Sequence, residues 1–177
     1  MTPRRANQGG AYQRPTEPRI RFRAPFGPGV LAATIVVSVM LASGVALTAF
    51  RLPWLGLLLV GALVLSALLA PRGYQIGTSL LTIERSWLPI KVPLDEIRDA
   101  RLMKREELRG SIRTLASGGL FGIYGRFWSR SLGHYRMYAR RSDGFVLIDA
   151  GTRYVLSPDS PAEFVAAVEG ARTKRRR

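Results

Sequence analysis

The sequence predicts a membrane α-helical hairpin followed by a β-rich (α+β) domain, and three observations carry that prediction. Two long uncharged apolar runs lie almost end to end in the first seventy residues. Beyond Pro71 the apolar residues change to a period of two, the spacing of half-buried strands. Near the end, a capping signal opens a short amphipathic helix.

Composition sets the frame. Of 177 residues, about one hundred remain once the apolar runs are set aside, enough for one compact core. The formal charge of +15 comes mostly from arginine and points to an anionic partner rather than to a fold. Cysteine is absent, which excludes disulfides and thiolate metal sites but does not identify the compartment.

Residues 1–28 are rich in Pro, Gly, Gln and Arg and predict a disordered basic arm. Residues 29–50 follow without a charge, and at 1.5 Å per residue they reach about 33 Å, enough to cross a bilayer. After Arg51-Leu52, residues 53–70 span about 27 Å, which suits a thin bilayer. So short a break predicts a tight turn and antiparallel helices. Ala42, Ser43, Gly44, Gly56, Gly61 and Ala62 supply small side chains for close approach. Two adjacent runs with no polar face are hard to hide inside so small a protein, and the first is longer than the apolar core of a cleaved signal peptide. Arg4, Arg5, Arg14, Arg19, Arg21 and Arg23 precede the first run, and Arg72, Arg85 and Lys91 follow the second, whereas the turn offers only Arg51. The positive-inside rule therefore predicts a multi-pass protein of the cell membrane with both termini cytoplasmic. Trp54 beside the turn fits an interfacial anchor.

In residues 71–171, Leu81 to Glu84 and Leu88 to Leu94 read as strands, and Pro89 and Pro93 place the second at an edge or a strand end. Asp95-Glu96-Ile97 predicts a turn, with a further strand to Met103. Tyr135, Met137 and Ala139 alternate with Arg136, Tyr138 and Arg140. The turns at Ser142-Asp143-Gly144 and Gly151-Thr152 then separate Phe145 to Ile148 from Tyr154 to Leu156, so three hairpin-linked strands are expected. Ser160, Pro161 and Glu163 open a C-terminal helix carrying Phe164, Val165 and Val168 on its apolar stripe, and residues 172–177 form a basic tail.

The short strands, Val92-Pro93-Leu94-Asp95-Glu96-Ile97, the Gly-rich middle, Tyr154-Val155-Leu156-Ser157-Pro158 and the final helix together resemble the bacterial pleckstrin-homology-like (PH-like) domains, over about residues 72 to 171. The resemblance implies a bent antiparallel sheet or partly open barrel, closed at one end by the C-terminal helix, and no catalytic machinery. An SH3-like or other small barrel is the structural alternative. Lipid binding does not follow from the resemblance alone.

Candidate site residues fall into two groups. In the Gly-rich stretch 115–128, Gly119, Gly122 and Gly125 recur without the strand and capped helix that a nucleotide-phosphate loop needs. Tight turns folding aromatic side chains over the barrel mouth account for it. Alternatively, Leu120, Phe121, Ile123, Tyr124, Phe127 and Trp128 include residues that dip into the membrane interface while Arg126 and Arg130 meet phosphates, a membrane-interface or partner-binding site. The second group, Arg101, Lys104, Arg105, Arg109 and Arg113, interrupted by Glu106 and Glu107, is either a solvated basic surface or a seat for an acidic protein segment or lipid head groups. Nucleic acid is disfavoured because no stacking motif organises the aromatics. A lone His134, turn-located Asp143, Asp149 and Asp159, and no nucleophile elbow argue against catalysis, and no cofactor or metal site is expected. The functional expectation is a membrane-anchored interaction module, a scaffold or accessory subunit binding a protein partner or anionic phospholipid. The alternative is a non-catalytic subunit of a membrane enzyme or transporter whose active site a partner completes.

Overall fold

Period-two patterning becomes sheet through most of the chain's second half. The computed structural model describes residues 19–48, 52–118 and 120–176. The elements run β1 (Ile20–Arg23), α1 (Pro28–Thr48), α2 (Pro53–Leu69), β2 (Pro71–Ile76), β3 (Leu80–Arg85), β4 (Ile90–Pro93) and β5 (Asp99–Met103). A short 3-10 helix at Arg105–Leu108 precedes β6 (Ile112–Gly118), β7 (Ile123–Ser129), β8 (Gly133–Ala139), β9 (Phe145–Ala150), β10 (Thr152–Leu156) and α3 (Pro161–Arg176). One sheet has the order β1-β2-β3-β4 and the other β5-β9-β10-β8-β7-β6. β4 lies at an edge and ends at Pro93, which satisfies the constraint of a residue without an N–H.

The main core lies between the sheets and under α3. Phe22, Tyr74, Ile76, Leu81 and Ile83 of the first sheet meet Tyr124, Tyr138, Val146, Ile148 and Leu156 of the second, with Phe164 and Val168 of α3 closing it. Phe164 stands edge-on to Phe22 at 5.1 Å and to Tyr74 at 5.7 Å between ring centroids. The opposite face of the six-stranded sheet has its own cluster, including Phe127, Tyr135, Met137, Phe145, Leu147 and Val155, against which Leu108 of the 3-10 helix packs. Burial on both faces explains why Phe145 to Ile148 is apolar without alternation.

Four expectations are corrected. Residues 20–23 are not a disordered arm: Ile20 pairs with Ile76 and Arg23 with Gly73, so a strand preceding the helices joins the sheet that follows them. The Phe22 side chain, buried at 7% exposure, supplies the reason. Residues 1–18 lie outside the described residues. The last three strands are not successive hairpins, because β10 sits between β9 and β8 and pairs with β8 in parallel from Arg153↔Tyr135 to Leu156↔Tyr138. The fold is thus two sheets, one of them mixed, with a C-terminal helix, and not a wholly antiparallel sheet. Finally, the basic tail is helical through Arg176, as Arg172 reaches the Arg98 carbonyl and Arg175 reaches the Ser79 carbonyl and Asp95.

α1 and α2 pack on each other. A Cβ on Gly44 would meet Leu59 at 3.8 Å and one on Gly56 would meet Val45 at 3.6 Å, whereas Gly61 faces open space. Among the described residues, α1 is long and apolar enough to cross a membrane, with a mean hydropathy of 2.4 over Pro28–Leu47. α2 is equally uncharged but shorter, at 17 residues. Residues 49–51, where a tight turn is expected, lie outside the described residues.

Candidate interaction surface

Polar side chains in apolar helices are costly unless paired, and those of α1 and α2 identify where the sheet domain attaches. The Thr34 hydroxyl of α1 accepts the Phe121 N–H at 2.9 Å. The Tyr124 O–H donates to the Ser66 carbonyl of α2 at 2.7 Å, and its oxygen lies 2.7 Å from the Ser66 hydroxyl. Two further backbone bonds seat the helix ends. The Gly27 N–H donates to the Arg140 carbonyl at 2.8 Å, and the Trp87 N–H donates to the Leu68 carbonyl at 3.2 Å. Arg140 lies over the Phe26 ring with its guanidinium carbon 3.7 Å from the centroid, and it donates to the Phe121 carbonyl. Burial, helped by nearby Arg72, pushes the Arg140 pKa down from its usual value.

The Gly-rich stretch, expected as a pair of tight turns over a barrel mouth, is a hairpin, β6-β7, with its tight turn against the helices. Its tip turns through Phe121 at φ +57° and Gly122 at φ +150°. A Cβ on Gly122 would stand 2.8 Å from the Ala139 carbonyl oxygen, so the close approach of β7 to the end of β8 requires glycine. Gly119 lies outside the described residues.

The aromatic candidates do not form one patch. Phe121 and Tyr124 meet the helices, whereas Trp128 lies at the other end of β7, about 13 Å from Tyr124 along the strand. Tyr124 and Phe127 are buried, the latter stacked on Tyr135 with 5.6 Å between centroids, which takes both out of interfacial insertion. Arg126 is exposed on β7, and Arg130 is exposed in the turn leading to β8. Leu120 and Ile123 are half-buried.

The second group divides as well. Arg101 donates two hydrogen bonds to Glu107 and lies 3.8 Å from Asp99, so its charge is matched. Those bonds, with the Lys104 N–H, hold the Glu107 carboxyl below the usual carboxylate range. Lys104, Arg105 and Arg109 are exposed on the strap that crosses the outer face of the six-stranded sheet. Bonds from Ser131 to the Glu107 carbonyl and from Tyr135 to Ser111 pin this strap. The Arg113 side chain lies outside the described ones. His134 is exposed at the start of β8, opposite Trp128, and no metal-ligating cluster occurs among the described residues.

Compared with known families, residues 72–172 match the model of a bacterial PH domain. The chain belongs to the bacterial PH domain family. The match covers both sheets except β1, and α3 to within its last turn. No curated protein and no solved structure matches the chain. PH-like domains are generally non-catalytic and commonly bind proteins or lipids, so the family suggests a protein or lipid interaction module. The sequence does not single out the junction residues, because nothing there sets Thr34 apart from Ser38 and Ser43, and Ser66 and Trp87 each stand alone. A polar residue inside an uncharged span and an aromatic between two strands were the signals available.

Proposed function

We propose that the protein is a two-pass cell-membrane protein that holds its PH domain against the cytoplasmic face, where the domain binds a protein partner. The pairing of β1 with β2 carries the reading. β1 precedes α1 and β2 follows α2, so a single crossing would leave the two strands on opposite sides of the bilayer. Only an even number of crossings keeps them in one sheet. The exposed apolar faces of both helices and the arginines flanking them agree with a hairpin in lipid and a cytoplasmic domain.

With the domain fastened to the helices at four points, partner binding occurs at a fixed distance from the bilayer, which raises its effective concentration there. The Lys104, Arg105 and Arg109 strap suits an acidic protein segment, because Glu107 is already engaged by Arg101 and the three exposed cations outnumber the one other carboxylate there, Glu106. Photo-crosslinking in intact cells from position 112, beside the strap, tests this role. A discrete protein adduct that disappears in the Arg105→Glu/Arg109→Glu variant is expected. An adduct unchanged by that variant, or turnover of a substrate by the purified protein alone, would contradict it.

A further inference from the structure

Arg126 and Arg136 are direct cross-strand partners on β7 and β8. They share the inner face of the sheet with Tyr124 and Tyr138, two residues along each strand and about 7 Å nearer the helices. Like charges placed opposite each other destabilise a sheet, and an anion seated between them reverses that cost. A third arginine joins the pair from the other sheet: the Arg85 guanidinium lies 5.7 Å from the Tyr138 ring centroid. All three cations act on the Tyr138 hydroxyl, which burial nevertheless holds above the usual phenol range. On the side of Arg126 and Arg136 away from Arg85, a cavity of about 560 Å³ reaches His134, Gly151 and Thr152, and its lining among the described residues includes no carboxylate.

The adjacent β3-β4 turn fixes what reaches this cluster. Trp87 and Leu88 are 53% and 60% exposed, although both are large and apolar. Leu88 is held in the left-handed region, at φ +55°, by two hydrogen bonds from the Arg85 guanidinium to its carbonyl. Trp87 is bonded to Leu68, where α2 ends, so the turn stands level with the end of the apolar hairpin. An aromatic and an aliphatic side chain held out at that level, beside three arginines, match the two layers of a bilayer surface.

We propose that the cluster of Arg85, Arg126 and Arg136 around Tyr138 forms a cleft that binds the phosphate of an anionic phospholipid, with Trp87 and Leu88 wedged into the acyl boundary beside it. This rests on the membrane reading above and adds a lipid site to it. The test uses the full-length protein in nanodiscs with Trp54→Phe and Trp128→Phe, leaving Trp87 as the sole tryptophan. Bromine near the top of the acyl chains is carried either by phosphatidylglycerol or, at equal mole fraction, by phosphatidylcholine. Lipid occupying the cleft makes Trp87 quenching about fivefold more sensitive to brominated phosphatidylglycerol. Arg126→Gln/Arg136→Gln removes that preference, and Arg126→Lys/Arg136→Lys retains most of it. Equal quenching by the two lipids overturns the proposal, as does a preference that survives the glutamine variant. A companion protein with Trp54 as its sole tryptophan separates the two readings: Trp54 quenched with Trp87 unquenched removes the lipid site alone, and neither quenched removes the membrane reading as well.

Discussion

One hydroxyl ties three segments together at the centre of the domain. The Tyr74 O–H donates to the Tyr138 carbonyl at 2.6 Å and accepts the Ser157 N–H at 3.1 Å, joining the first sheet to the second and to the approach to α3. The Ser157 hydroxyl in turn accepts the Arg140 N–H, so this buried network continues to the helix junction. Burial pushes the Tyr74 phenol up to about 12 from 10.0. Between those values the unfolded chain gives up a proton that the folded chain keeps, so stability is full below pH 10 and falls as pH rises toward 12. Tyr135 and Tyr138, also raised by burial, add to the same loss. Tyr74→Phe leaves two buried groups without this partner and costs about 1–3 kcal/mol at neutral pH. It also flattens the alkaline limb. Thermal melting of the full-length protein in detergent, compared at about pH 8 and about pH 11, shows both effects, and an equal alkaline loss in variant and parent would contradict the assignment.

At the scale of elements, β1 is the smallest piece with the largest topological consequence. Phe22 contributes its ring to the main core against Phe164, while the arginines on either side of it are exposed. Phe22→Ala removes that packing and costs about 3–5 kcal/mol, in the range for a buried aromatic. Hydrogen exchange is expected to quicken across residues 20–23 and 73–76 before the six-stranded sheet is affected, whereas uniform protection would show that β1 contributes nothing. This strand is hard to read in the sequence because the alternation of Ile20, Phe22 and Ala24 with Arg21 and Arg23 is short and lies in a Pro- and Arg-rich arm whose composition points to disorder. The β3, β4 and α3 segments were legible, since alternation, Pro93 and Pro161 each state a local rule that the fold obeys. The parallel β8-β10 pair was not, for strand order is set by contacts between distant segments. Similarly, the Gly-rich stretch announced tight geometry, but which aromatics it buried depended on the helices it meets.

For the whole molecule, backbone and side-chain bonds link each apolar helix to the tip of the β6-β7 hairpin and to the strand ends of the PH domain. The surface carries its charge unevenly: Arg101, Arg141 and Arg172 are matched by carboxylates, while Arg126 and Arg136 face one another. The more exposed of these pairs, at Arg101 and Arg141, are worth about 0–1 kcal/mol each, so their use lies in leaving particular arginines available for partners. Everything proposed for this surface depends on which side of a bilayer each part occupies. The chain contains no cysteine, so single cysteines at positions 2, 51 and 177 report on that directly. With a membrane-impermeant maleimide, position 51 is expected to label in intact cells, and positions 2 and 177 only after the membrane is opened. Labelling of positions 2 and 177 from opposite sides, or recovery of the protein in the soluble fraction, would contradict the account.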